Sequence, residues 1–183
     1  MAESAGAQWC ARFPTSASLG DLAEPFQGNA KAFIDALRDA GASVSINATY
    51  RPPERAYLMH FCCLVAGYRD EGKVFHQIAP GDVPAMQGVD IDWTCGGDPG
   101  GARAAAVAMR QGYEIAYPAA LVSNHTRRLA IDMTIQFTGA ISVKTGHGSL
   151  AAAACQSDLW PVGKSYGVIK LPSDAPHWSV DGH

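Results

Sequence analysis

The sequence predicts an α+β fold, a small antiparallel sheet with helices packed on it, within one domain spanning residues 1–183. Three observations carry this. Apolar residues recur at helical spacing around 29–40, 53–67 and 98–112. They alternate with polar residues at strand spacing over 42–49 and 130–137. The two kinds of segment also follow one another without the regular strand–helix alternation of a parallel sheet.

Residues 1–28 carry Pro14, Gly20, Pro25 and Gly28 with little periodicity, and predict an irregular N-terminal wrap. Asn29 suits the N-cap of a helix running to about Ala40, with Phe33 and Leu37 on one face and Gly41 as its stop. Over 42–49, Val44 and Ile46 alternate with Ser45 and Asn47, as in a half-buried strand. Pro52 and Pro53 then open a helix through Tyr57, Leu58, Phe61, Cys62 and Val65 to Gly67. Residues 70–98 are rich in Gly, Pro and Asp around a short Val89–Trp93 segment, and predict a long loop that walls a cleft. Asp98 and Pro99 start the next helix, which Gly112 closes. Ile131, Met133, Ile135 and Phe137 alternate with Ala130, Asp132, Thr134 and Gln136, giving a strand with one core face and one polar face. Thr138-Gly139-Ala140 predicts a hairpin from that strand to 141–144. An Ala-rich helix over 148–156 and a strand over 166–171 complete the reading.

Composition narrows the function. With 14 basic and 17 acidic residues the formal charge is -3 and the pI about 6.0, which leaves no basic footprint for nucleic acid. No apolar run reaches the length of a membrane span, so membrane insertion is not expected. The N-terminus lacks the basic and apolar regions of a cleaved signal, so work outside the cytoplasm implies another route of delivery. The five cysteines include no Cys-x-x-Cys pair, against a thiolate zinc knuckle or a thioredoxin-like redox pair. Cys62 and Cys63 read as buried small hydrophobes.

The chemistry concentrates in two stretches. Ser123-Asn124-His125 leads into Asp132, seven positions after the histidine, and Asp174-Ala175-Pro176-His177-Trp178 lies near the end. On one straight strand His125 and Asp132 would stand roughly 23 Å apart at ~3.3 Å per residue, so both reach one ion only if 124–129 folds back. His177 then supplies a third ligand. Two neutral imidazoles and a carboxylate suit zinc, and three protein ligands leave a position for water. Asp174, three residues before His177, can stand beside that water as general base.

Ser123-x-His125, six residues, Asp132, and the late acid-x-x-His with Trp178 together resemble the zinc D-Ala-D-Ala carboxypeptidase and L-Ala-D-Glu endopeptidase family, which shares its fold with the hedgehog N-terminal domain. Ala130 and Met133 also match that family's pattern, and Tyr50-Arg51-Pro52-Pro53-Glu54-Arg55 resembles its upstream Tyr-Arg element. The likeness runs from about residue 30 to the end. It implies a hedgehog/DD-peptidase-like fold and a peptidase that cuts the peptidoglycan stem peptide with metal-activated water. In that scheme Zn2+ sits on His125, Asp132 and His177, Asp174 is the base, Arg51 acts on the oxyanion or substrate carboxylate, and Ser123 contacts substrate. Without a signal peptide, the resemblance fits a phage endolysin or a secreted antibacterial effector acting in the periplasm or cell wall, delivered by lysis or a secretion system. An immunity protein or a fused delivery domain would then be its protein partner. The sequence departs from the family at Arg128, which replaces a glycine and implies that the loop after His125 avoids positive φ, and at Asp174, which replaces a glutamate.

Other readings stay open. Asp181 and His183 compete with Asp174 and His177 as base and ligand. His147 reads as a solvated loop residue, and His60 and His76 have no supporting pattern. Trp93, Trp160 and Trp178 either wall a groove or belong to the core. A non-catalytic peptidoglycan- or protein-binding module of the same fold is the competing class, and a zinc amidase at the sugar–peptide junction is a third.

Overall fold

The structure, a computed structural model, describes residues 2–183. Its helices are α1 (Phe26–Asp39), α2 (Pro53–Ala66), α3 (Pro99–Gly112) and α4 (Leu159–Ser165). Its strands are β1 (Glu3–Ser4), β2 (Ser43–Ala48), β3 (Tyr68–Asp70), β4 (Val74–His76), β5 (Ile91–Asp92), β6 (Ala130–Gln136), β7 (Ile141–Lys144), β8 (Leu150–Ala153), β9 (Ile169–Lys170) and β10 (His177–Ser179). The fold is α+β, as the sequence predicts. The chain forms two compact units, one of residues 1–14 and 52–122, the other of 15–51 and 123–183.

The first unit is built on α2 and α3. Most of α2 is buried, including Tyr57, Leu58, Phe61, Cys62 and Val65, because its apolar residues surround the helix rather than forming a stripe. Met109 and Ala106 of α3, Trp9 and Trp93 complete this core. Its buried polar tips are satisfied: Trp93 Nε1 donates to the Tyr57 hydroxyl at 3.0 Å, and that hydroxyl donates to the Pro84 carbonyl at 2.9 Å. All five cysteines of the chain are free thiols, with Cys62 and Cys63 fully buried. Asp98 caps α3 as expected, accepting from the Gly100 N–H at 3.1 Å. The stretch expected to be one long loop instead contains the β3–β4 hairpin. It turns through Glu71 and Gly72, both at positive φ, and its strands are too short for a period-two pattern to show.

The second unit is a four-stranded antiparallel sheet in the order β2-β6-β10-β9. Ile131, Met133 and Ile135 of β6 turn one face to a core shared with Phe33, Leu37, Leu159, Val162 and Trp178, so α1 and α4 cover that face. Asp132, Thr134 and Gln136 occupy the other face, as their alternation predicts. Helix α1 begins at Phe26, a turn before the expected cap at Asn29, because Phe26 extends the apolar stripe of Ala30, Phe33, Ile34 and Leu37 and is itself buried.

Two expectations fail in this unit. Strand β7 does not pair with β6; its partner is β8, joined to it by a tight turn. The Ala-rich segment expected to be a helix is therefore strand β8. A turn closed by Thr145 N–H to the Ser149 carbonyl, at 2.8 Å, sets the hairpin, and tertiary pairing overrides alanine's helix preference.

Gly163 shows how tightly α4 meets the sheet. A Cβ there would lie 2.6 Å from the Trp178 ring and 2.7 Å from the Val168 carbonyl oxygen, and the second of these is backbone that cannot swing aside. Gly163→Ala is expected to lower unfolding stability by about 1–3 kcal/mol in denaturant titration despite alanine's better helix propensity.

Candidate metal centre

The centre lies wholly in the second unit and begins with a turn. Arg127 N–H donates to the Ser123 carbonyl at 3.1 Å, Arg128 N–H to His125 at 3.3 Å and Leu129 N–H to Asn124 at 2.8 Å. The last two bonds, six-to-one and nested inside it, are those of a helix end closed by a Schellman motif, whose left-handed residue here is Arg128. The expected avoidance of positive φ is thus incorrect: Arg128 has φ 65°. A non-glycine residue there carries strain of about 1 kcal/mol or more. It is held by the bond from Ala23 N–H to the Arg128 carbonyl at 2.9 Å and by the guanidinium lying 4.4 Å over the Tyr50 ring. This fold-back is the one that the spacing of His125 and Asp132 requires. Ser123 belongs to the same turn; its hydroxyl accepts from Thr126 N–H at 3.4 Å.

Strand pairing supplies the other two residues. His177 sits directly opposite Asp132 in the β10–β6 ladder, so both side chains leave the same face of the sheet. His125 Nε2, Asp132 Oδ1 and His177 Nδ1 form a triangle with edges of 3.1, 3.0 and 3.2 Å. A tetrahedral ion with bonds of about 2.0–2.1 Å needs donor atoms about 3.3 Å apart, so the triangle fits one face of such a site.

The outer nitrogens decide what the triangle can bind. His125 Nδ1 lies 2.9 Å from the Thr49 carbonyl, and His177 Nε2 lies 3.1 Å from the backbone oxygen of His183. Each outer nitrogen must donate to its oxygen, so in the neutral rings each inner nitrogen presents a lone pair. Two lone pairs and a carboxylate then face one another, and only a cation satisfies all three. The three residues can hold a metal ion, and among the described residues no fourth His, Cys, Asp or Glu joins them. Thr49 is itself fully buried and anchored, its hydroxyl donating to the carbonyls of Ser16 and Ser18 at 3.1 and 2.9 Å.

Burial raises the Asp132 pKa, but hydrogen bonds and charge from His125 and His177 reverse this and hold it well below the usual carboxylate range. For His177, burial acts downward and is outweighed by Asp132, by the His183 oxygen and by the charge of Asp174, leaving its pKa above the ordinary imidazole value.

The remaining predicted residues stand outside the triangle. Asp174 is exposed; its carbonyl accepts from His177 N–H at 3.1 Å, and its charge is felt at His177. Arg51 joins the centre through its backbone, its N–H donating to the His125 carbonyl at 3.2 Å. Asp181 is committed elsewhere: its Oδ1 accepts from Asn124 at 2.6 Å, from Ser179 at 3.2 Å and from His183 N–H at 3.1 Å. His183 meets the centre only through its backbone oxygen. His147 lies in the loop after β7, and His60 Nδ1 lies 2.8 Å from the Ala119 carbonyl in the first unit. Trp93 and Trp178 are core, whereas Trp160 remains 37% exposed. Two contributors had no sequence signal. Thr49 acts through a carbonyl, which every residue owns. Lys170 sends its ammonium to the carbonyls of Leu171, Asp174 and His177, tying down the turn that carries the last two.

Comparison with protein-family models, with curated proteins and with solved structures gives no match. Among the described residues no helix is long and apolar enough to cross a membrane.

Three outcomes are expected. Arg128→Gly, which loses the Tyr50 contact but relieves the left-handed strain, stays within about 1 kcal/mol of wild type and leaves the response to added zinc unchanged. Arg128→Val, β-branched at φ 65°, loses about 1–3 kcal/mol and binds zinc more weakly, by thermal melts and zinc titration. For the metal-free protein, the raised His177 pKa gives stability that is full below about pH 6.5 and fades as pH rises through the folded value. The lowered Asp132 pKa gives stability present above about pH 3.9 and lost in acid. Melts in chelator should therefore fall off as pH rises above about 6.5, and saturating zinc should remove that decline.

Proposed function

We propose that this chain is a zinc-dependent peptidase that hydrolyses an amide bond in the peptidoglycan stem peptide. The observation that carries this reading is the triangle of inward-facing acceptors on His125, Asp132 and His177, each imidazole oriented by a backbone oxygen. Three protein donors rather than four is the pattern of a catalytic zinc site, since a structural site is closed by its own ligands. The side of the triangle nearest solvent is Asp132, whose side chain is 20% exposed against 6% and 9% for the histidines.

Zinc bound there would serve as a Lewis acid and lower the pKa of a coordinated water to about 7. The protein's own groups do the rest. Thr49 and the His183 oxygen keep the imidazoles in the tautomers that bind metal. Asp174 takes the proton of the attacking water and returns it to the leaving amine. Lys170 fixes the turn on which Asp174 and His177 ride. Arg51, joined to His125 by its backbone, offers a guanidinium to the developing oxyanion or to a substrate carboxylate. The resemblance of the two motif stretches to the zinc carboxypeptidase and endopeptidase family supplies the substrate class. It also supplies the setting, the periplasm or cell wall, reached by lysis or a secretion system.

Digestion of purified muropeptides, read by mass spectrometry, tests the proposal. The zinc-loaded wild type should release fragments differing by hydrolysis of one stem-peptide amide. Asp174→Asn should keep stoichiometric zinc while kcat drops about 10²–10⁴-fold. His177→Ala should lose both metal and turnover; full zinc and full activity in that variant would sink the assignment.

A further inference from the structure

We propose that the open edge of β6 beside the metal centre binds the substrate as an added antiparallel strand, holding the residues on the amino-terminal side of the bond to be cut. This rests on the peptidase reading above. Strand β10 pairs with β6 only over Ala130–Asp132, followed by one further bond, from Met133 N–H to the Pro176 carbonyl at 2.9 Å. Pro176 has no N–H to give the Met133 carbonyl in return. Before it the chain turns away, with the Asp174 carbonyl accepting from His177 N–H and from Lys170. Strand β6 nonetheless continues through Thr134, Ile135 and Gln136, paired with β2 on its other side.

The Met133–Pro176 bond sets the phase of that edge. In an antiparallel ladder both backbone groups of one residue point the same way, and successive residues alternate. The backbone groups of Met133 and Ile135 therefore point away from β2, although the two residues are only 2% and 7% exposed, while those of Thr134 and Gln136 point to β2. Gln156 confirms the phase: its side-chain amide donates to the Ile135 carbonyl at 2.8 Å, occupying the place of a strand's N–H. Beside this edge lies a cleft of about 510 Å³, lined by Met133, Ile135, Gln156, Trp160, Ala175 and Pro176. Met133 and Pro176 are the chain neighbours of the ligands Asp132 and His177. The edge from Met133 to Gln136 spans about 10 Å, room for about three extended residues.

Direction follows from topology. A guest strand that continues the β10 ladder runs antiparallel to β6, with its amino end at Gln136 and its carboxyl end at Met133, next to Asp132. The scissile carbonyl thus arrives at the metal from the carboxyl end of the bound segment. Backbone bonds supply the alignment, and this mode of recognition reads an extended main chain before it reads side chains.

The test is residue-resolved amide exchange on zinc-loaded Asp174→Asn protein, with and without a synthetic stem pentapeptide, alongside turnover of the same peptide by the wild type. The Ile135 amide should exchange at least tenfold more slowly with saturating peptide. Thr134 and Gln136, already bonded to β2, should not change, which separates strand addition from general stabilisation. If the wild type cuts the peptide but Ile135 exchange is unaltered, or all three amides slow together, strand addition is wrong and the peptidase reading stands. A peptide neither cut nor bound overturns the peptidase reading and this inference with it.

Discussion

Three acceptors pointed at one another are repulsive unless something positive lies between them, and the second unit is arranged around that constraint. The inner atoms of His125, Asp132 and His177 are 3.0–3.2 Å apart. The outer nitrogens are tied to backbone oxygens that cannot give up a proton or change role. The Asp132 carboxylate and the His183 oxygen favour a proton on His177 and raise its pKa above that of a free imidazole, while the two imidazoles hold the Asp132 pKa below the usual carboxylate range. A cation bound by these three atoms would have to displace any proton held there.

Holding that arrangement involves local features that are unfavourable on their own. Arg128 occupies a left-handed position where glycine is the usual residue, yet it brings a guanidinium to the Tyr50 ring and a carbonyl to Ala23 N–H. Lys170 is drawn down by burial, with the charges of Asp174 and Asp132 opposing that shift, and it spends its donors on three carbonyls of the turn from Leu171 to His177. Both residues trade conformational ease for a fixed path of the chain on either side of a ligand. Such trade-offs concentrate where geometry matters more than stability.

The parts of this that are legible in sequence are those carried by periodicity and by residue type. The two faces of β6, the helical stretches of α2 and α3 and the Asp98 cap follow from spacing alone. The ligand types of His125, Asp132 and His177 were readable because imidazole and carboxylate are scarce and chemically distinctive. Pairing partners were not readable. Ile141–Lys144 lies one short turn after β6, and nothing local says that it will pair forward with 150–153 and not back with β6. Alanine there has no preference strong enough to resist a hairpin closed by Thr145 and Ser149. The Thr49 carbonyl and the fold of the turn at Arg128 depend on contacts that only the assembled unit defines.

An open strand edge is normally a hazard, because its unpaired groups invite another chain. In this unit the unpaired stretch is confined to the few residues of β6 beyond Asp132, and it begins where Pro176, which has no N–H, ends the ladder one residue before His177. A residue able to donate at 176 could prolong β10 along the edge and fill the cleft from within. The Gln156 amide covers one carbonyl of the edge with a side chain where a second strand would otherwise donate. The same proline that limits the sheet thus leaves a cleft lined by Met133 and Pro176, the chain neighbours of Asp132 and His177, two of the three residues that can hold a metal ion.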